Sequence, residues 1–153
     1  MSAQAQAKKA LSNLVTVLDP VLTPYGFTFL PGETGVSSGG GFANGHYRQA
    51  AYELGFIYRG SDLGCPNYAS GSVGAGHHAL MRELGHADDC ALWFNDSLDK
   101  WCLAARHGET FVEALVADLS AIVLPCLSQT PEAYKSALAR AFDRRMNKLM
   151  GHR

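Results

Sequence analysis

The chain has 153 residues, 47% hydrophobic and 18% charged, with a formal net charge of −1 at neutral pH. That length can build one sizeable core, so the chain reads as a single domain over 1–153, and the composition excludes wholesale disorder. The small net charge excludes a molecule built as a whole to bind polyanions, and nucleic acid is not an expected partner.

From Gln4 to Leu18, apolar residues at Leu11, Leu14, Val15 and Leu18, then Leu22, follow the spacing of an amphipathic helix, which Pro20 should end or kink. Gly26 permits a turn, and Phe27 to Leu30 read as a short strand before a loop, "PGETGVSSGGG". Asn44-Gly45 is a hairpin signal, because both residues tolerate positive φ. The stretch "AAYELGFIY" alternates, with Tyr52, Leu54, Phe56 and Tyr58 on one face. Two or three antiparallel strands are therefore expected between residues 27 and 59. Residues 60–76 read as a glycine- and serine-rich connection, followed by a short helix from His77 to about Leu84. "SLDKWCLAAR", 97–106, predicts a further helix. "TFVE", Thr110 to Glu113, is a capping box opening a central buried helix that runs to about Leu127. Thr130 as cap and Pro131 at the first position open the last helix, to about Met150, with Tyr134, Leu138, Phe142, Met146 and Leu149 along one stripe. The order implies an α+β fold: a small antiparallel sheet over about 27–59, packed against an N-terminal helix and two or three C-terminal helices.

Cys65, Cys90, Cys102 and Cys126 are separated by 25, 12 and 24 residues, and no CxxC occurs. Reduced thiols and a cytoplasmic setting are expected. Lys8 and Lys9 precede an apolar stretch broken by Ser12, Asn13 and Thr16, which makes a poor signal peptide. The most apolar run, "FVEALVADLSAIVLPCL", contains Glu113 and Asp118 and is not expected to span a membrane.

The densest chemistry lies in "GAGHHALMRELGHADDC". Zinc-protease helices need two histidines four apart, and here Arg82 occupies the first ligand position, where a guanidinium repels zinc. His78 and His86 are two turns apart, about 12 Å at 1.5 Å per residue, too far for one ion. "VGAGHHA" matches a relaxed dinucleotide fingerprint but lacks the buried strand that motif requires. "GVSSG" centres Ser37 in a nucleophile-elbow pattern with no helix after it. No metal or cofactor is expected.

"LDPVLTPYGF" reads L-x-P-x-L-x3-G-F through Leu18, Pro20, Leu22, Gly26 and Phe27. With "ELGFIYRG" and "FVEALVADL", it resembles small uncharacterised bacterial domains of unknown function, some similar to immunity proteins encoded beside secreted toxins. The shared motifs are a helix exit, a strand entry and a buried helix, so the resemblance implies a fold and a protein partner but transfers no functional residue.

Charge is unevenly spread. Residues 131–153 hold six Lys or Arg against Glu132 and Asp143, while 62–118 hold nine acids against three bases. That polarity suits docking to a charged protein surface. The expected function is a non-enzymatic protein-binding module, in particular an immunity-type inhibitor, with Arg144 and Arg145 as candidate binding residues. The alternative is a small metal-binding protein or hydrolase using His77, His78, His86, Asp88 and Asp89. Self-association is left open.

Overall fold

Four steps of three or four residues, from Ala7 through Leu11, Leu14 and Leu18 to Leu22, open the chain as an amphipathic helix. In the computed structural model, which describes residues 2–95 and 99–151, this helix is α1, Ala3–Leu22. The Ser2 hydroxyl caps it by accepting the Ala5 amide at 3.1 Å. Ala7, Leu11, Leu14, Leu18 and Leu22 are its buried face. Pro20 does not end the helix. Its missing donor removes one backbone bond, but the final turn buries Leu22 completely, which offsets the loss. The stop comes from a 3-10 turn, Thr23–Tyr25, and Gly26 at φ 87°.

The chain falls into two compact units, 1–71 and 72–153. In the first, α1 packs on an antiparallel sheet made of β1 (Thr28–Ser37), β2 (Gly40–Gln49), β3 (Tyr52–Arg59) and β5 (Asn67–Ser70), in that spatial order. The two-residue strand β4 (Asp62–Leu63) also pairs with β3. The face against α1 carries Ala43, Tyr47, Leu54, Phe56 and Tyr58, all buried. Tyr47 donates its hydroxyl to Asp19 Oδ1 at 2.8 Å, and burial together with that carboxylate pushes its pKa far above the usual phenol range.

The expected loop at "PGETGVS" is strand instead. Leu30 pairs with His46 and Val36 with Gly41, and the register slips between Pro31 and Thr34. The Asn44 side chain staples that bulge by accepting the Glu33 amide at 2.8 Å. Asn44-Gly45 is therefore mid-strand rather than a hairpin turn. Gly45 is needed because a side chain there would run into the Phe29 ring. Gly41 is needed because a side chain would meet the backbone of Ala3 and Gln4. The hairpin turns fall at Ser38-Gly39 and Ala50-Ala51, with Ala50 at φ 52°. The connection expected over 60–76 likewise contains β4, β5 and β6.

In the second unit, β6 (Val73–Gly76) leads into α2 (His77–Glu83), and β7 (Leu92–Asn95) pairs antiparallel with β8 (Asp99–Ala105). The helix expected over 97–106 is thus a strand from Asp99 onward, with 97 and 98 outside the described residues. The ladder sets Leu92, Trp93 and Phe94 against Ala105, Ala104 and Leu103, a half-buried pattern that suits a pleated surface. The Thr110–Glu113 capping box forms with both bonds, at 3.1 and 3.0 Å, and opens α3 (Phe111–Asp118). A π turn, Leu119–Val123, joins α3 to α4 (Leu124–Gln129). Leu124 reaches back five residues to the Leu119 carbonyl. The widened turn leaves room for Pro125, whose ring would clash with a regular preceding turn.

The run 111–129 is long and apolar enough to cross a membrane by length and composition. It serves here as a core helix buried along one side, by Ala114, Leu115, Leu119, Val123 and Leu124, with Ser120 and Ala121 exposed on the other. It is not buried all round as the composition suggested. The last helix, α5 (Pro131–Leu149), begins at Pro131, but Thr130 does not cap it: its hydroxyl donates backwards to the Cys126 carbonyl at 3.1 Å. The α+β class read from the sequence is the class observed.

Candidate functional surfaces

The histidine-rich stretch resolves into structural parts. His77, at the start of α2, is fully buried, and its Nε2 lies 2.8 Å from Asp118 Oδ2. Asp118 also accepts the Ala91 amide at 2.6 Å and the Leu92 amide at 3.0 Å. One inward carboxylate thus ties α3 to α2 and to the start of β7. His78 lies against the Phe94 ring, with centroids 4.7 Å apart. Burial, then the charges of Arg82 and His77, lower its pKa and so favour the neutral ring. Helix α2 ends in a Schellman motif: Gly85 at φ 84° donates to the Arg82 carbonyl, and the His86 amide reaches the Met81 carbonyl at 2.8 Å. His86 therefore lies outside the helix, and its Nδ1 pairs with Asp89 Oδ1 at 2.9 Å on an exposed turn. Asp88 is exposed beside it. The five residues are not brought together on one site, and among the described residues no group of three or more His, Cys, Asp or Glu could hold a metal ion.

On the sheet face of the first unit away from α1, a shallow depression of about 290 Å³ lies over Gly55, walled by Asn44, His46, Glu53, Ile57, Cys65 and Asn67. That volume is at the lower limit of small-molecule pockets. Its carboxylate is already engaged: Glu53 Oε1 accepts Arg48 at 2.8 and 3.1 Å, with His46 Nε2 3.9 Å away. The signal for this surface was present in the second face of the β3 alternation, Glu53, Gly55 and Ile57, which the apolar face overshadows.

The end of α5 differs from both. Its packed face is Tyr134, Ala137, Leu138 and Ala141. From Asp143 to Met150 every residue is exposed. Met146 is 36%, Leu149 70% and Met150 66% accessible, with Phe142 part-exposed beside them. At about 100° per residue, Phe142, Met146 and Leu149 centre roughly 100° around the helix from the packed face. The expected stripe from Tyr134 to Leu149 is therefore two faces, only one of which is covered. The packed face continues instead into Arg144, Arg145 and Lys148. Glu83, whose side chain is 5% exposed, takes Arg82 at 3.0 Å, Arg140 at 3.4 Å and Arg144 at 3.1 Å. Desolvation would raise its pKa, but the Arg82 hydrogen bond and the Arg144 charge outweigh it and hold the carboxyl below its ordinary value. Arg144 is thus partly a structural clamp between α2 and α5, while Arg145 lies exposed.

No family model, curated protein or solved structure matches the chain.

Proposed function

We propose that the protein is a non-catalytic protein-binding module, specifically an immunity-type inhibitor acting in the cytoplasm, that engages its partner through the end of α5. The observation that carries this reading is the uncovered apolar face of residues 142–150 on a helix that outruns its own core, beside Arg144, Arg145 and Lys148. Exposed apolar side chains bordered by charge mark interaction sites more often than they mark chemistry. The rival reading, a metal-binding protein or hydrolase, has less behind it. Its best acid–base pair, His77 and Asp118, is sealed from solvent at 0% and 2% exposure. Its other pair, His86 and Asp89, sits on an open turn with side chains 38% and 69% exposed.

The test is calorimetric titration of the purified chain with the protein encoded directly beside it. A saturable one-to-one complex that suppresses the neighbour's toxicity supports the reading. A chain that forms no complex, and carries close to one metal ion per molecule by elemental analysis, overturns it in favour of the rival.

A further inference from the structure

The protein-binding reading can be taken one step further, to the chemistry of the partner. Resting on it, we infer that the partner presents an apolar groove rimmed by acidic side chains, into which Phe142, Met146 and Leu149 insert. These three stand at i, i+4 and i+7, the anchor spacing by which a helix fills a groove. The segment is already helical as part of α5, so docking costs little ordering entropy. At about 100° per residue Arg145 flanks the anchors on one side, with Lys148 and Arg144 following beyond it. Arg144 is 67% exposed despite its bond to Glu83, and Asp143, on the other flank, is the only acid from residue 133 to 151. Charge complementarity therefore demands an acidic rim. A second copy of this chain would set cation against cation along the same face. An anionic membrane meets the charge requirement, but an apolar arc of four side chains on about two turns is short for an interfacial helix.

The probe is a single calcium-loaded lobe of calmodulin, a methionine-lined groove of acidic character small enough to approach a helix still attached to its domain. The expected result is saturable binding that weakens as sodium chloride rises, and that falls at least tenfold in Met146→Ser/Leu149→Ser and several-fold in Arg145→Glu. Circular dichroism of both variants checks that the fold is kept. Vesicles of phosphatidylglycerol and phosphatidylcholine are the second arm, with no sedimentation of the protein expected. Equal binding by wild type and the double variant, or no binding to the lobe, overturns the inference. Co-sedimentation with the vesicles overturns it too, and reassigns the face to a lipid surface. Failure on the lobe alone leaves the protein-binding reading standing, to be decided by the titration against the neighbouring gene product. Vesicle binding, in contrast, also removes the end of α5 as its protein-binding surface.

Discussion

His77 Nε2 stands 2.8 Å from Asp118 Oδ2, two side chains 41 positions apart in sequence and both closed to solvent. The same carboxylate takes the amides of Ala91 and Leu92. Removing it takes this acceptor from the buried His77 ring, the buried Leu92 amide and the part-buried Ala91 amide. Asp118→Ala should therefore cost about 3–5 kcal/mol, the range for breaking a buried pair. Chemical denaturation checks this against His86→Gln, which touches only an exposed pair and should stay within about 0.5 kcal/mol of wild type. His78→Gln should fall between them, since it loses the contact with Phe94.

The thiols should react in an order set by burial. Cys65 and Cys102 are exposed, Cys126 is intermediate and Cys90 is buried. Burial, and then the Asp118 charge, push the Cys90 thiol up to about 11, which leaves little thiolate at neutral pH. Native-state labelling followed by mass spectrometry should modify Cys65 and Cys102 first and Cys90 only on unfolding. Cys126 lies on the helix whose apolar composition reads as centrally buried, yet its thiol is only intermediate in burial, because that helix keeps an exposed face.

Glu83 gives the molecule an acid-sensitive clamp. Its pKa is held below the unfolded value, so its contribution is present above the unfolded pKa and is lost as pH falls through the lower folded one. Wild type should lose stability as pH drops below about 4, and Glu83→Gln should flatten that limb. Arg144→Glu places a carboxylate against Glu83 and should cost about 1 kcal/mol or more, whereas Arg145→Glu should be nearly neutral. Thermal melts at pH 3, 5 and 7 separate the three variants.

Ala50 sits at φ 52° in the turn between β2 and β3, a left-handed conformation that disfavours a side chain by about 1–2 kcal/mol. Glycine relieves that strain at some cost in unfolded-state entropy. Ala50→Gly should raise stability by about 0.5–1 kcal/mol, read as an upward shift in Tm.

The reading of the sequence succeeded where one local signal dominates. The Thr110–Glu113 box, the apolar face of α1, the short helix from His77 to about Leu84 and the alternation of β3 are all where the local pattern put them. It failed where a tertiary partner decides. Asn44-Gly45 looks like a turn, yet it is held mid-strand because Phe29 needs the space over Gly45 and Glu33 needs the Asn44 oxygen. Strand β8 looked helical because its pairing with β7 is invisible to a local window. The end of α5 was the instructive case. Steps of four, four, four and three suggested one buried stripe, but the slow drift around the helix carries Phe142, Met146 and Leu149 off the packed face.

The separation of that face from the core is the claim on which the proposed function stands, and thermal unfolding tests it most directly. Met146→Ser/Leu149→Ser should melt within about 0.5 kcal/mol of wild type, as exposed substitutions do. Leu138→Ala, at a position 1% exposed on the same helix, should lose about 2–5 kcal/mol. A double variant that melts as low as Leu138→Ala would contradict the account, because the end of α5 would then belong to the core and would not be free to bind a partner.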